Sequence, residues 1–269
     1  MTSFLKRLGT SALLIGGSAY ILLFTNAALF SFEVTVFAGF ALYELLTMLK
    51  KGGVPVYRVF GVAMGVSIPF IVYMEFGSTQ SGEILFIVLG CLFLFLLQFF
   101  RKDNSQALVG ISLTLFGILY VSWFLSFLIK IRFMDHGIIW IAYLLSVTKA
   151  ADIGAYLVGS IAGKHALIPH ISPKKTVEGM FGGILFSVIC SWVFGPALPL
   201  PLPTAHLLVL GCLIGIVGQV GDLSESLMKR FCGAKDSGSV LPGMGGVLDA
   251  VDSILFTAPI FYFHLTLIT

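Results

Sequence analysis

An all-α, polytopic integral membrane protein is the fold class this sequence predicts, and three observations carry it. The chain is 58% hydrophobic and only 11% charged, against roughly 25% charged residues in a soluble domain. Its apolar residues fall into long runs of about the 20 residues that a helix needs to cross a bilayer. Its basic residues segregate to alternate connections between those runs. A water-soluble fold of this composition exposes large apolar patches and aggregates.

The runs are read in order at 8–25, 32–49, 59–76, 83–100, 106–129, 137–158, 179–196, 204–220 and 246–268, about nine spans. The first begins MTSFLKRLGTSALLIGG and has the look of a secretory leader. Its apolar run continues to Phe24 with no convincing cleavage site, so a retained helix is expected. The fourth and fifth are the plainest; the sixth and ninth are the weakest because each contains charge. With nine spans and a cytoplasmic N-terminus, all but Lys130, Arg132 and Lys149 of the 16 Lys and Arg residues fall on the inner side. That asymmetry was not used to draw the spans. It places the two long polar connections, 159–178 and 221–245, in the cytoplasm.

The formal net charge of +3 is too small to argue for a nucleic-acid partner. Cys91, Cys190, Cys212 and Cys232 are scattered without a CxxC pair, so four free thiols are expected rather than a disulfide framework or zinc site. His136, His165, His170, His206 and His264 show no ligand spacing, and no metal role is assigned to them.

Chemistry concentrates in GDLSESLMKRFCGAKDSGSVLPGMGGVLDAVDS, residues 221–253. Asp222, Glu225, Asp236, Asp249 and Asp252 are interleaved there with Lys229, Arg230 and Lys235. Carboxylates beside lipid are expensive and mark function by default. Mixed acids and cations around a Gly-rich loop suit a divalent metal and a polyphosphate. Asp249 and Asp252 are three apart and share a helix face; one acid there would simply favour the helix dipole. Glu225 and Lys229 at i,i+4 also read as a plain ion pair. Gly233, Gly238, Gly243, Gly245 and Gly246 let backbone approach a ligand and offer N–H groups to anions.

The other loop reads GKHALIPHISPKKTVEGMFGG. Ser172, Lys174, Lys175 and Thr176 supply cations and hydroxyls for phosphate oxygens, though the same residues suit anionic headgroups. Lys149 and Asp152 lie within the sixth span and can neutralise each other. Glu44 stands alone in the second span and is read as a snorkelling carboxylate.

The pattern Ser226-x-x-Lys229-Arg230-x(4)-Lys235-Asp236, then Leu241-Pro242, Gly245-Gly246, Asp249 and Asp252, resembles the signature of the phosphatidate cytidylyltransferase (CDP-diacylglycerol synthase) family. DIGAYLVG, ISPKKTVEG and GDLSES are also similar to that family. The resemblance covers about the C-terminal half; the N-terminal spans match only in being hydrophobic. Two positions depart from the family pattern: Met244 stands where it has His, and Ala250 where it has Arg.

The resemblance implies an enzyme that joins CTP and phosphatidate, releasing pyrophosphate. It implies one integral domain over 1–269, with N-terminal spans in 1–105 and catalytic spans in 106–269. Mg²⁺, with room for a second cation, would sit on Asp222, Asp249 and Asp252. Asp222, Asp249, Lys229, Lys235 and Asp236 would be catalytic. Asp152, Ser172, Lys174, Lys175, Thr176, Ser226 and Arg230 would bind substrate. The expected setting is the inner (cytoplasmic) membrane, among membrane lipids, as a homodimer. Other readings are a different CTP-dependent lipid enzyme (polyprenol kinase or CDP-archaeol synthase), an ion-coupled transporter, or an inactive binding paralogue. The transporter reading calls for inverted repeats, and none is seen.

Overall fold

A computed structural model describes residues 2–75, 82–243 and 245–268, so Met244 lies outside the described residues. The helices are α1 (Thr2–Phe24), α2 (Ala27–Lys51), α3 (Arg58–Glu75), α4 (Gly82–Phe99), α5 (Ala107–Gly117), α6 (Phe124–Phe133), α7 (Gly137–Ala162), α8 (Val177–Phe194), α9 (Thr204–Phe231) and α10 (Val247–Ile268). A π-helical turn, Ile118–Trp123, joins α5 and α6 into one rod. The only strands among the described residues form an antiparallel hairpin, β1 (Ala166–Ile168) with β2 (Ser172–Thr176), pairing Ala166 with Thr176 and Ile168 with Ser172. The expected all-α architecture is what the chain adopts.

Among the described residues, seven helical segments are long and apolar enough to cross a membrane: Ala27–Lys51, Gly82–Phe99, Ala107–Phe133, Gly137–Ala162, Val177–Ala197, Thr204–Phe231 and Val247–Ile268. Ala12–Phe24 and Arg58–Met74 are shorter apolar helices. The protein is therefore a multi-pass membrane protein; each expected run falls on a helix, but seven of these helical segments, not nine, meet the length and hydropathy of a span among the described residues. Two boundary shifts bear on the polar loops. Helix α7 continues to Ala162, so the first polar loop shrinks to 163–176. Helix α9 continues to Phe231, eleven residues past the expected end of its apolar run. GDLSES, whose spacing also suits a helix start or continuation, and the following Lys-Arg pair thus ride on helix. All four cysteines are free.

The chain divides into two compact units, Met1–Phe133 with Phe231–Val251, and Met134–Arg230 with Asp252–Thr269. In the first, α2 is the central element. Ala38, Ala41, Leu42, Leu45 and Leu46 on it are all inaccessible to solvent. Polar residues lock the connections. The Tyr57 N–H donates to Thr114 Oγ1 at 2.9 Å, and the Tyr57 hydroxyl bonds Gln98. Arg101 stacks on the Tyr57 ring at 3.8 Å and donates to the Pro55 carbonyl. Lys130 pairs with Glu83.

In the second unit α7 and α8 meet along small residues. Lipid tails supply no hydrophobic drive between spans, so helices associate by close van der Waals contact. A Cβ on Gly182 would fall 2.4 Å from Val158 Cβ, and one on Gly154 would fall 2.7 Å from the Gly182 carbonyl oxygen. Ala151, Gly154, Ala155 and Val158 thereby form one face of α7, at the i,i+3/i,i+4 spacing that faces a neighbour. Serines finish the packing: Ser191 Oγ donates to the Leu207 carbonyl at 2.6 Å and lies 2.6 Å from the Tyr143 hydroxyl. His206 and His264, unrelated in sequence spacing, come within 3.0 Å of each other.

Gly182→Leu is expected to force α7 from α8 and destabilise the protein by on the order of 1–3 kcal/mol, the usual cost of overpacking. Gly16→Leu, where a Cβ meets nothing within 4 Å, leaves stability unchanged. Thermal unfolding of the two variants in detergent checks both; equal melting temperatures would count against the tight seam.

Candidate functional site

The extension of α9 builds the candidate site of the second unit. Asp222 and Glu225 are three apart and project from one face of the helix. Helix α10 reaches that face because Gly221 carries no side chain. A Cβ there would fall 2.5 Å from the Asp252 carbonyl oxygen, so the two backbones touch one residue before Asp222. Asp252 is thereby delivered beside the α9 acids. One carboxylate oxygen from each of Asp222, Glu225 and Asp252 lies within 4.8 Å of the others. The three oxygens are thus close enough together to hold a divalent cation between them. Glu225 is fully buried and Asp252 is 8% exposed, while Asp222 is half-buried.

Lysines answer these acids one by one. Lys175 Nζ sits 2.7 Å from Asp222 Oδ2. Lys229 pairs with Glu225 one helical turn away. Lys149 Nζ lies 3.0 Å from Asp152 Oδ2 and 3.3 Å from Ser253 Oγ, and Ser253 Oγ donates to Asp152 Oδ2 at 3.1 Å. Asp252 is the member without an ion pair among the described residues; its Oδ1 accepts the Ser253 N–H. Four carboxylates stand among three lysines here. The donor set is all oxygen, as Mg²⁺ prefers.

The hairpin carries the second group of cations. Thr176 Oγ1 caps α8 by accepting the Gly179 N–H at 3.1 Å. Glu178 ties the loop start by accepting the Lys164 and His165 N–H groups at 3.1 and 3.2 Å. With both ends fixed, β2 presents Lys174 to solvent and turns Lys175 to Asp222. Arg230, at the end of α9, donates to the Ile171 carbonyl at 3.0 Å and so clasps the hairpin tip. Ser172 opens β2, and Ser226 is buried on α9.

A separate polar cluster stands in the first unit. Asp249, in the first turn of α10, accepts the Gly246 N–H at 2.7 Å on Oδ2. That is the reach-back half of a capping box. The same oxygen takes the Ser237 N–H at 3.2 Å and the Ser237 hydroxyl at 2.7 Å. Leu241 and Gly245 bridge across a tight turn, with Gly243 and Gly245 at φ +82° and +104°. Lys235 and Asp236 are exposed on the loop, and Ala250 is half-buried. At two of the loop glycines the space is taken by Glu44: a Cβ on Gly238 or Gly246 would fall 2.3 Å from a Glu44 carboxylate oxygen. Glu44 does not snorkel; it is 4% exposed.

Of the metal set read from sequence, Asp222 and Asp252 converge with Glu225, and Asp249 Oδ2 accepts hydrogen bonds from Ser237 and Gly246. Glu225 was legible as one of the clustered acids but not as a metal ligand, because its i,i+4 lysine accounts for it equally well locally. The Lys175–Asp222 pair joins residues 47 positions apart, which no local pattern signals.

Residues 5–268 match the model of the cytidylyltransferase family. The chain is 34% identical over 239 residues to a phosphatidate cytidylyltransferase of Bacillus subtilis, covering 88% of this chain and 89% of that one. It is 31% identical over 251 residues to a phosphatidate cytidylyltransferase of Staphylococcus aureus, covering 92% and 90%. It is also 39% identical over 166 residues to the uncharacterized protein YnbB of Escherichia coli, covering 62% and 55%. With the match running through the N-terminal helices as well as the acid-rich C-terminal half, this chain belongs to the cytidylyltransferase family.

Proposed function

We propose that the protein transfers a cytidylyl group from CTP to phosphatidate, giving CDP-diacylglycerol and pyrophosphate, at the inner face of the cytoplasmic membrane. The observation that carries the reading is the Asp222–Glu225–Asp252 group with its flanking lysines. The names of the relatives agree with it.

In the reaction a phosphate oxygen of phosphatidate attacks the α-phosphorus of CTP. The bond from that phosphorus to the oxygen bridging it to the β-phosphate breaks, and pyrophosphate leaves with the electron pair. The lipid brings its own nucleophile, so the protein supplies position and charge. Asp222, Glu225 and Asp252 would hold Mg²⁺, which would supply polarisation of the α-phosphate and charge neutralisation for the leaving group. Lys175 pairs with Asp222, and Lys149 stands beside the group on Asp152 and Ser253. Asp152 orients Lys149, with Ser253 between them.

Lys174, on the exposed edge of the hairpin, meets phosphates arriving from water, and Ser172 and Thr176 border it. Arg230 holds the hairpin tip, and Lys229 and Ser226 line the α9 face that carries the acids. Lys235, Asp236 and Asp249 enter the proposal through the motif they share, and Asp249 orders the loop that bears the other two. A polar setting reached from both cytoplasm and lipid admits one soluble and one membrane-bound substrate.

Purified protein given CTP and phosphatidate is expected to release CDP-diacylglycerol and pyrophosphate only with Mg²⁺, and EDTA to stop it; turnover unaffected by chelation would remove the metal assignment. Asp252→Asn should lower kcat by about 10²-fold or more, the scale of losing electrostatic stabilisation at a developing charge, while the protein elutes as a folded species. Gly221→Val should weaken Mg²⁺ activation by driving α10 from α9. A Mg²⁺ titration of that variant superimposing on wild type would show that the backbone contact does not set the acid geometry.

A further inference from the structure

We infer that Glu44, on the second helix, is a positioning residue for the reaction: it clamps the 237–249 loop and the N-terminus of α10 from outside that segment. Glu44 is buried inside an apolar helix and has no cationic partner among the described residues. A carboxylate in such a place is retained for a specific partner. Here the partner is backbone. Glu44 Oε2 accepts the Leu248 N–H at 2.9 Å, one of the donors that the first turn of α10 leaves unsatisfied. It also accepts from the Ser237 hydroxyl at 3.4 Å, the group that bonds Asp249 Oδ2 at 2.7 Å.

Two carboxylates thus divide the exposed donors of one helix end. Asp249 takes the Gly246 N–H from within the loop, and Glu44 takes the Leu248 N–H from a helix some two hundred residues earlier. The positive end of the α10 dipole favours both. The loop is shaped to receive Glu44. Side chains at Gly238 and at Gly246 would each come within 2.3 Å of its carboxylate, so two glycines of the loop leave the space Glu44 fills. Without that acid, the Leu248 N–H is buried and unpaired and the loop keeps only its internal bonds. Lys235 and Asp236 precede the clamped Ser237 directly, so their placement depends on it. The inference rests on the proposed role of this loop in cytidylyl transfer.

The test uses full-length protein in detergent or nanodiscs with two independent readouts. The first is hydrogen exchange at the amides of 237–249, which needs no activity; the second is CTP/phosphatidate turnover. In Glu44→Ala, exchange across the loop is expected to rise by on the order of tenfold, as when a closing hydrogen bond is lost. The kcat should fall by about 10–10²-fold, the scale of displacing reacting groups by roughly 1 Å, with the CTP KM little changed. Glu44→Gln keeps an acceptor for Leu248 and should retain most protection and most kcat.

Should Glu44→Ala fail to fold, Gly238→Ala disturbs the same contact from the other side and is expected to move both readouts the same way. Unchanged exchange in these variants overturns the clamp. Raised exchange with unchanged kcat overturns the positioning role while leaving the clamp in place. If wild type itself makes no CDP-diacylglycerol, the exchange arm still reports on the clamp, so the two readings fail separately.

Discussion

Burying a carboxylate away from water costs several kcal/mol unless charge or hydrogen bonds replace the lost solvation, and the polar architecture of this protein is a set of answers to that cost. In the second unit the answers are cations. Lys175 meets Asp222, Lys229 meets Glu225 and Lys149 meets Asp152. Around the 237–249 segment of the first unit the answers are backbone N–H groups and one serine hydroxyl, shared between Asp249 and Glu44. The two solutions have different consequences. Lysines hold acids together at high charge density, which prepares them for a metal and for phosphates. N–H groups at a helix end hold acids still, which shapes a loop.

Such acids converge only if helices approach closely, and in a membrane that approach comes from small residues. Gly154 and Gly182 bring α7 against α8. Gly221 brings α10 against α9 beside the acids themselves. Packing and chemistry are therefore coupled at Gly221: one missing side chain decides whether Asp252 belongs to the cluster. Serines on the same interfaces pair their hydroxyls between helices, Ser191 with the Leu207 carbonyl and Ser253 with Asp152.

The loops do their work with similarly local means. Thr176 and Glu178 close the hairpin onto α8 through backbone N–H groups, and Arg230 secures its far end through the Ile171 carbonyl. A short hairpin fixed at three points can present Lys174 and Lys175 in opposite directions, one to water and one to an acid. Strand alternation alone accounts for that division.

The amino-acid sequence by itself determined the membrane class, the helical runs, the free cysteines and the acid-rich region, because hydropathy and helical spacing are local properties. It also carried the family motif. Only the tertiary structure decided which acids share a neighbourhood. Glu225 looked like half of a surface ion pair, and its burial beside Asp252 depends on the Gly221 contact. Asp222 showed no cation nearby in sequence, and its lysine arrives from a hairpin 47 residues earlier. Glu44 read as a stray charge, and its partner lies on a helix end 204 positions away. The apolar run of α9 ended near residue 220, but the helix did not, since backbone hydrogen bonding continues wherever i→i+4 pairs and tertiary contacts sustain it. Pairings across such distances follow from how helices pack, and no window along the chain contains that information.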